Sequence, residues 1–273
     1  MGRKILFNGE IIKNEIRIDT KSHILNYGTG FFETLLYENR QIYFYKDHIN
    51  RMKNTQNIFE IDIDYTSIED KFIYQLIGEN NLNKQTLRIK IIYAPIQSET
   101  KWDTCVFIQD YKRINKAYSV CVHTEPKDNF LYNFKSLNYM ANNYFRNYYK
   151  NHSNADEVLF ISFKGGILEG SYTNILAVKD NILYYVSTHN NYLKGVMQNQ
   201  ILRNTKAIGL KQSEEITEGF TTIFLKKADE ILLTNSLIGA QPIGEIYTKG
   251  NKIQIPVNKE NWAEKIRSFY SMK

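Results

Sequence analysis

Strand-like and helix-like segments follow one another along this 273-residue chain without a regular alternation. Ile5–Phe7 and Glu10–Ile12 are short apolar runs on either side of Asn8-Gly9, which is a strong signal for a two-residue hairpin turn. Residues 47–59, by contrast, carry apolar side chains at helical spacing. A parallel sheet made of successive strand–helix–strand units would need a regular alternation, so the pattern predicts a mixed α/β fold of the α+β class.

A polar and basic stretch at residues 110–118 divides the chain into two such mixed regions. Strand-like alternation ends before this stretch and resumes after it, from residue 120 onward. We therefore predict a smaller N-terminal α/β domain over residues 1–112 and a larger C-terminal domain over residues 118–273.

Capping and turn signals delimit the remaining elements. Thr66 and Glu69 form a capping box that predicts the start of a helix, and Gly78 predicts its end. Further helices are predicted over residues 136–150, 195–209 and 258–270. Further strands are predicted over residues 31–37, 41–45, 88–93, 104–109, 120–122, 157–162, 167–169, 174–178, 182–186 and 230–233.

The chain is basic and rich in aromatic side chains, with 35 Lys and Arg against 29 Asp and Glu, and with 20 Tyr and 15 Phe. Basic and aromatic residues together can bind single-stranded nucleic acid. The basic residues are scattered, however, and the longest runs are Arg3-Lys4 and Lys226-Lys227. A solvated surface explains the excess charge better, so we expect no nucleic-acid partner.

The sequence predicts neither a membrane anchor nor a disulfide. All apolar runs are shorter than the about 20 residues that span a bilayer, and the N-terminus lacks the apolar core of a signal peptide. Cys105 and Cys121 lie in apolar strand-like runs, which is typical of buried free thiols. We therefore expect a soluble cytoplasmic protein in a reducing compartment.

Several common types of catalytic site lack their sequence signatures. The five histidines have no metal-binding spacing with one another or with the cysteines, so we expect no metal site. The chain has no Gly-rich dinucleotide fingerprint and no P-loop. Ser171 follows Gly170 but lacks the second glycine of a nucleophile elbow, which disfavours a serine hydrolase.

A lysine, a glutamate and a helix start form a more specific set of candidates. Lys135, after Phe134, is either a solvated surface residue or a partly desolvated amine that forms a Schiff base. Glu169, at the end of a strand, is either a surface carboxylate or the partner of a protonated cofactor nitrogen. Gly195 opens a predicted helix, whose first amides can bind a phosphate.

Six segments, in this order along the chain, resemble motifs of the class IV aminotransferases. Residues 26–34 resemble the opening YG-x-G-x-FET, and residues 135–138 resemble the segment with the family's cofactor lysine. The other four segments are residues 48–52, 168–174, 193–197 and 228–243. The family comprises fold-type IV pyridoxal 5′-phosphate (PLP) enzymes, among them branched-chain and D-amino-acid aminotransferases and aminodeoxychorismate lyase.

The resemblance implies a two-domain fold-type IV architecture, a homodimer, bound PLP and a small amino substrate that carries a carboxylate. Lys135, in the C-terminal domain, is expected to attach the cofactor and to transfer the proton. Glu169 is expected to bind the ring nitrogen, and Arg51 the phosphate, which suits a guanidinium. Met197 stands where the family has a threonine. The other implied cofactor contacts are Leu193 at the ring face and Val196, Met197 and Asn235 or Ser236 at the phosphate.

The same resemblance assigns Tyr27 and Phe32 to the substrate. The arginine that is common in the family after FET is Leu36 here, and residues 95–98 replace a loop that often carries Gly and Arg. Arg88 is the remaining candidate for the substrate carboxylate, and the alternative is that it is a strand arginine packed at the domain interface.

One fold supports several reactions, so the family does not fix the chemistry. We predict an aminodeoxychorismate lyase of the folate pathway, which forms 4-aminobenzoate and pyruvate. The short spacing in residues 135–138 and the position of Asn235 favour the lyase. The alternative is an amino-acid aminotransferase of the branched-chain or D-amino-acid type, which residues 26–29 and 169–171 favour.

Overall fold

The computed structural model describes residues 2–127, 129–248, 251–255 and 261–272, and its contacts divide the chain into two compact units. Unit 1 contains the residues up to Arg113 together with Phe134–Asn138, and all remaining residues form unit 2. Lys135 thus belongs to unit 1, although the sequence assigned it to the C-terminal domain, because its segment pairs with a strand of unit 1. That residues 112–118 separate two independently folding domains stays a prediction.

Unit 1 is built on a six-stranded sheet in the order β2-β1-β6-β5-β3-β4. The predicted hairpin is confirmed, because β1 and β2 pair in antiparallel fashion around Asn8 and Gly9, which both have positive φ angles. The strands of unit 1 are β1 (Ile5–Phe7), β2 (Glu10–Ile12), β3 (Phe31–Glu38), β4 (Gln41–Ile42), β5 (Leu87–Ala94) and β6 (Asp103–Asp110).

Three α-helices belong to unit 1: α1 (His23–Tyr27), α2 (Tyr45–Phe59) and α3 (Asp70–Glu79). The strand predicted over residues 41–45 is too long, since β4 ends at Ile42 and a turn with the left-handed residue Phe44 leads directly into α2. The predicted capping box at Thr66 is wrong. Asp64 instead accepts a bond from the Thr66 amide and caps a 3₁₀ turn, and α3 begins only at Asp70.

The two long helices of unit 1 cover one face of its sheet. Fully buried residues of β3, β5, α2 and α3 form a common apolar core. Because side chains alternate along a strand, the residues between these core positions point to the other face. The core includes Leu35, Ile91, Met52, Ile73 and Leu76.

Unit 2 contains a nine-stranded sheet in the order β12-β11-β10-β13-β14-β7-β8-β9, with β15 beside β14. Because β9 also pairs with β10, six of these strands close into a barrel. The strands are β7 (Tyr118–Pro126), β8 (Glu157–Ile161), β9 (Ile167–Gly170), β10 (Asn174–Lys179), β11 (Ile182–Val186), β12 (Gln212–Ile216), β13 (Glu230–Asn235), β14 (Gly239–Thr248) and β15 (Asn251–Gln254).

The helices of unit 2 are α4 (Met140–Ser153), α5 (Val196–Arg203), α6 (Thr205–Ile208), α7 (Thr222–Lys226) and α8 (Trp262–Phe269). The helix predicted from residue 136 begins four residues later, because Ser136 forms a β-bridge with Phe31 and its neighbours hydrogen-bond to residues 30 and 32. The predicted helix end at Gly209 is confirmed, since Gly209 is the left-handed cap of α6. Residues 258–260 of the predicted terminal helix lie outside the described residues.

Candidate functional site

The segment that carries Lys135 lies beside the first residues of β3. The amide of Phe32 donates to the carbonyl of Lys135 at 2.8 Å, and the amide of Leu137 donates to the carbonyl of Gly30 at 2.9 Å. Phe31 and Ser136 form the antiparallel bridge between these bonds. The segment therefore extends the sheet of unit 1, which fixes the backbone of Lys135 on both sides.

This pairing brings the side chain of Lys135 to the ring of Phe32. Residues that oppose each other in an antiparallel pair point to the same face of the sheet, and Lys135 opposes Phe32. The Lys135 Nζ atom lies 4.5 Å from the centre of the Phe32 ring. Lys135 is half-buried and Phe32 is buried. Partial burial against an aromatic ring reduces the hydration of an ammonium group, which is what a nucleophilic lysine requires.

Gly30 permits three backbone segments to meet at this point. Its φ angle is +149°, a conformation that L side chains rarely adopt. A Cβ atom at Gly30 would lie 2.6 Å from the Cβ of Ala94 on β5 and 2.7 Å from a methyl carbon of Leu137. The second glycine of the motif in residues 26–34 is thus required by the close approach of β5 and the lysine segment.

On the opposite face of β3, Glu33 forms a buried charge cluster with α2. Arg51 binds this carboxylate in a bidentate manner, with Nε at 2.8 Å from Oε1 and Nη2 at 2.5 Å from Oε2. His48, one turn earlier on the helix, places its Nδ1 at 2.7 Å from Oε2. Glu33 and His48 are inaccessible to solvent, whereas the Arg51 side chain is 17% exposed. Two nitrogen atoms of Arg51 are therefore fixed by Glu33, which orients the guanidinium.

The cluster perturbs the titration of both buried partners. Burial alone would raise the pKa of Glu33, but the charge and hydrogen bonds of Arg51, together with His48, outweigh it and lower this pKa to about 2. Burial lowers the pKa of His48, although the adjacent Glu33 opposes this effect. The Glu33 carboxylate is therefore ionised at neutral pH.

Lys90, and not Arg88, lies next to Phe32. The register of β3 and β5 pairs Phe32 with Ile92, and Lys90 and Arg88 follow on the same face at intervals of two residues. The Lys90 Nζ atom is 4.4 Å from the centre of the Phe32 ring. Arg88 donates to the side chain of Gln109, farther along the strands. Burial and the nearby charge of Arg88 lower the pKa of Lys90.

Tyr27 lies at the surface of unit 1. It is the last residue of α1, is 71% exposed, and packs edge-on against His23 with ring centres 5.3 Å apart. Its assignment to the substrate, like that of Arg88, stays a prediction.

In unit 2, Glu169 on β9 is buried, and each of its carboxylate oxygens accepts a hydrogen bond. Lys127 donates to its Oε1 atom at 2.9 Å, and the amide of Leu193 donates to its Oε2 atom at 3.2 Å. The carbonyl of Leu193 in turn accepts a bond from the Asn174 side chain at 2.7 Å. The predicted acidic residue and the predicted ring-face residue are therefore directly connected.

The start of α5 supplies a set of backbone donors in the same unit. Gly195 is its extended N-cap residue, and no side chain caps the helix. Val196 and Met197 begin the helix, where amide groups lack carbonyl partners within the helix. A Cβ atom at Gly195 would lie 2.0 Å from Oδ1 of Asn174, so only glycine fits there without a shift. Such a helix start suits an anion.

The side chain of Asn235 makes hydrogen bonds within its own turn. Its Oδ1 atom accepts bonds from the amides of Leu237 and Ile238, both at 2.9 Å, and its Nδ2 atom donates to the carbonyl of Tyr172 at 3.2 Å. That Asn235 reaches a substrate, on which the lyase prediction partly depended, stays a prediction. Ser236 is half-buried in the same turn.

A second buried glutamate fixes the turn after Glu169. Glu157 accepts bonds from the amide and hydroxyl of Ser171, from the Tyr172 amide and from the Thr173 hydroxyl. Ser171 is buried in this network, which gives it a structural role. The network holds the short connection from β9 to β10, and thereby the strand that presents Glu169.

Neither a metal centre nor a membrane-spanning helix occurs in the described ranges. No group of three or more His, Cys, Asp or Glu residues within these ranges could hold a metal ion. No helix there is long and apolar enough to cross a bilayer. Cys105 and Cys121 are buried free thiols, as predicted.

The structure thus brings several predicted site residues together within each unit. Unit 1 joins Lys135 with Phe32, and unit 2 joins Glu169 with Leu193. Motif analysis assigned no role to five residues around them. Lys90 lies against Phe32, and Lys127 binds Glu169. Glu33 binds Arg51 and His48, and Glu157 holds the turn after Glu169. The one available signal was a polar residue at an apolar strand position, as at Glu33 between Phe32 and Leu35.

Residues 30–246 match the model of the family described as amino-transferase class IV. A Methanocaldococcus jannaschii protein, provisionally named a branched-chain-amino-acid aminotransferase, is 26% identical over 89% of this chain and 88% of its own. A D-alanine aminotransferase of Staphylococcus epidermidis is 24% identical over 89% of each chain.

Solved structures show the fold. The branched-chain amino acid aminotransferase of Escherichia coli matches all of this chain and 94% of its own with a TM-score of 0.84 and 18% identity. A hypothetical aminotransferase of Mycobacterium tuberculosis, in its PLP-bound form, covers 99% of this chain and 100% of its own, with a TM-score of 0.83 and 17% identity. The predicted fold is confirmed. Because the family model covers more than three quarters of the sequence, this chain belongs to the class IV aminotransferase family.

Proposed function

We propose that this chain is a PLP-dependent amino-acid aminotransferase of the branched-chain or D-amino-acid type. The observation that carries the proposal is the half-buried amine of Lys135, which is held against Phe32 by the pairing of its segment with β3. The relatives named above are aminotransferases for branched-chain amino acids or for D-alanine. The lyase stays a second prediction, with less support.

The residues present fit a phosphorylated pyridine aldehyde. A phosphate is bound by cationic or amide donors. Unit 1 offers the oriented guanidinium of Arg51, and unit 2, taken by itself, offers the amides at the start of α5. A protonated ring nitrogen needs a buried acceptor such as Glu169, which is anchored at both oxygen atoms. An aldehyde needs an amine, here Lys135. The close fit of Gly195 against Asn174 supports the same assignment, since it keeps the helix start open for an anion.

PLP, when bound, withdraws electrons from the carbon that carries the substrate amino group and can take up that group. Lys135 would hold the cofactor through Nζ and would then move a proton at the same atom, to and from the substrate carbon. Leu193 would cover the ring face and exclude water from it. Glu33 would keep the Arg51 guanidinium in one orientation, so that no ordering is needed when the phosphate arrives.

The substrate carboxylate requires a cation near the reacting groups. Lys90 lies next to Phe32 and Arg88 lies farther along the same strand, so Lys90 is the better placed of the two. Asn235 is bound within its own turn, and this weakens the case for a lyase. The homodimer implied by the resemblance is part of the proposal, and light scattering of the purified protein tests it.

The reaction is tested by parallel assays of the purified PLP-bound protein. We expect L-leucine, L-valine, D-alanine or D-glutamate to yield a 2-oxo acid while the visible band of the bound aldehyde form disappears. Aminodeoxychorismate should yield no 4-aminobenzoate. Release of 4-aminobenzoate, with no conversion by any amino acid, would favour the lyase and contradict the proposal.

The attachment residue is tested separately. Borohydride reduction of the yellow protein should fix the cofactor to one peptide, and mass spectrometry should identify it as the peptide with Lys135. Cofactor on the peptide of Lys127 or Lys90 would contradict the assigned role of Lys135 and leave the family unaffected.

A further inference from the structure

A second buried lysine binds the carboxylate that we assign to the cofactor ring. Lys127 is only 9% exposed, and its Nζ atom lies 2.9 Å from Oε1 of Glu169. The same ammonium lies 4.2 Å from the centre of the Tyr132 ring and 4.7 Å from that of Phe160. Two aromatic faces and one carboxylate therefore surround this cation. No cofactor contact was assigned to Lys127 from the sequence.

The backbone holds Lys127 in register with Glu169. Lys127 follows the last residue of β7, and its amide donates to the carbonyl of Ile161 on β8 at 2.9 Å. On the other side of β8, Phe160 opposes Glu169 of β9. Phe160 and Glu169 thus lie on neighbouring strands of the barrel, and Lys127 lies directly after the end of the next strand, β7. The backbone pairing of these strands therefore fixes the positions of both partners of the ion pair.

Two other titratable groups near Glu169, Lys194 and Tyr192, make hydrogen bonds to other parts of unit 2. The Lys194 ammonium donates to Oδ1 of Asn133 at 2.5 Å and to the carbonyl of Asn190 at 2.8 Å. The Tyr192 hydroxyl donates to the carbonyl of Val186 at 2.7 Å. Burial lowers the pKa of Lys194 and raises that of Tyr192. Lys127 is in direct contact with the Glu169 carboxylate, with its Nζ atom 2.9 Å from Oε1.

A carboxylate that already binds a cation attracts a further proton less strongly. Glu169 has two oxygen atoms, and one of them faces Lys127 while the other receives the Leu193 amide. Inside a protein the charge of a nearby ammonium is poorly screened, so it opposes a second positive charge at the same carboxylate. A cofactor nitrogen that binds Glu169 would therefore share it with Lys127.

We propose that Lys127 is a positioning residue that shares Glu169 with the ring nitrogen of PLP and lowers the proton affinity of that nitrogen. The inference rests on the proposed function, in which Glu169 binds the ring. Lys127 thereby weakens the electron withdrawal of the ring at high pH, where the nitrogen loses its proton. Its contribution is electrostatic and acts through Glu169.

The test uses the PLP-bound protein, reconstituted with PLP that carries ¹⁵N in the ring. The ¹⁵N chemical shift reports protonation of the ring nitrogen as a function of pH. In K127Q, which keeps a hydrogen-bond donor and removes the charge, we expect the midpoint to rise by about one pH unit or more. If K127Q folds poorly, K127M replaces it, and we expect the same rise of the midpoint. K127R keeps the charge and should titrate like the wild type.

A matched control removes an exposed ion-paired lysine from the same unit. Lys164 binds Glu218 at 2.7 Å on the surface, so K164M should leave the titration unchanged. Equal protonation of the ring nitrogen in the wild type and in K127Q across the pH range would overturn the inference. So would a lower midpoint in K127Q. A wild-type protein that binds no PLP would instead contradict the proposed function, so the two failures are distinguishable.

Discussion

Replacement of Glu33 by glutamine tests the buried charge cluster of unit 1. The carboxylate of Glu33 accepts two bonds from Arg51 and one from His48, and neither Glu33 nor His48 reaches solvent. A glutamine keeps the volume and one acceptor oxygen but removes the charge. Arg51 is partly buried and then loses the negative charge of the carboxylate that it binds, which is costly because buried charges are poorly solvated.

The magnitude follows from the titration of Glu33. Its pKa of about 2, against an ordinary value of 4.5, corresponds to about 3 kcal/mol of folding free energy at neutral pH. This agrees with the roughly 3–5 kcal/mol that breaking a buried ion pair costs. The pKa is lowered on folding, so the contribution is complete above pH 4.5 and is lost as the pH falls towards about 2.

Urea unfolding followed by circular dichroism measures the difference. We expect the free energy of unfolding of E33Q to lie about 3 kcal/mol below that of the wild type at pH 7. At pH 4 this difference should be smaller, by about 1 kcal/mol. The control is E79Q, because Glu79 forms a more exposed pair with Lys4 at 2.9 Å, and it should leave the unfolding midpoint unchanged. A difference below about 1 kcal/mol at pH 7, or one that grows as the pH falls, would refute the reasoning.

Three further substitutions test the cofactor contacts. R51A should weaken the affinity for PLP by about 10- to 100-fold, because a charge-assisted contact is worth roughly 1.5–3 kcal/mol; equilibrium dialysis against PLP and unphosphorylated pyridoxal should show the loss for PLP alone. G195A should also weaken PLP binding and cost roughly 1–3 kcal/mol in urea unfolding, since its Cβ would lie 2.0 Å from Oδ1 of Asn174; wild-type values in both measurements would count against the close fit. E169Q should keep PLP bound but slow the conversion of amino acids in stopped-flow absorbance, because a neutral amide stabilises a protonated ring nitrogen poorly; an unchanged rate would exclude the assigned role.

Local signals explain where the sequence-based predictions agree with the structure. The hairpin at Asn8-Gly9 depends only on two adjacent residues that tolerate positive φ angles. Gly209 ends α6 for the same reason. Such features need no information from distant parts of the chain, so they could be predicted from a few residues.

Contacts between distant segments explain the errors. Residues 136–139 have helix-compatible side chains, but hydrogen bonds to Gly30 and Phe32, about a hundred positions earlier, hold residues 135–137 against β3. Likewise, the partner of Lys127 is 42 positions away. Neither pairing leaves a periodic pattern in the sequence, and only the strand register reveals it. The motifs therefore indicated the candidate site residues, and the fold showed the contacts that position their side chains.

The membership of Phe134–Asn138 in unit 1 has a consequence for the order of synthesis. The ring of Phe134 lies in the apolar core of unit 1, 4.8 Å from the ring of Phe59. A nascent chain that has emerged only to Arg113 lacks this ring. It also lacks Ser136, which pairs with Phe31 on the edge of β3 that faces away from β5. On the ribosome, unit 1 can therefore be completed only after Asn138 has left the exit tunnel, when the start of unit 2 is already outside. The amine of Lys135 reaches its position in the same step that completes this core.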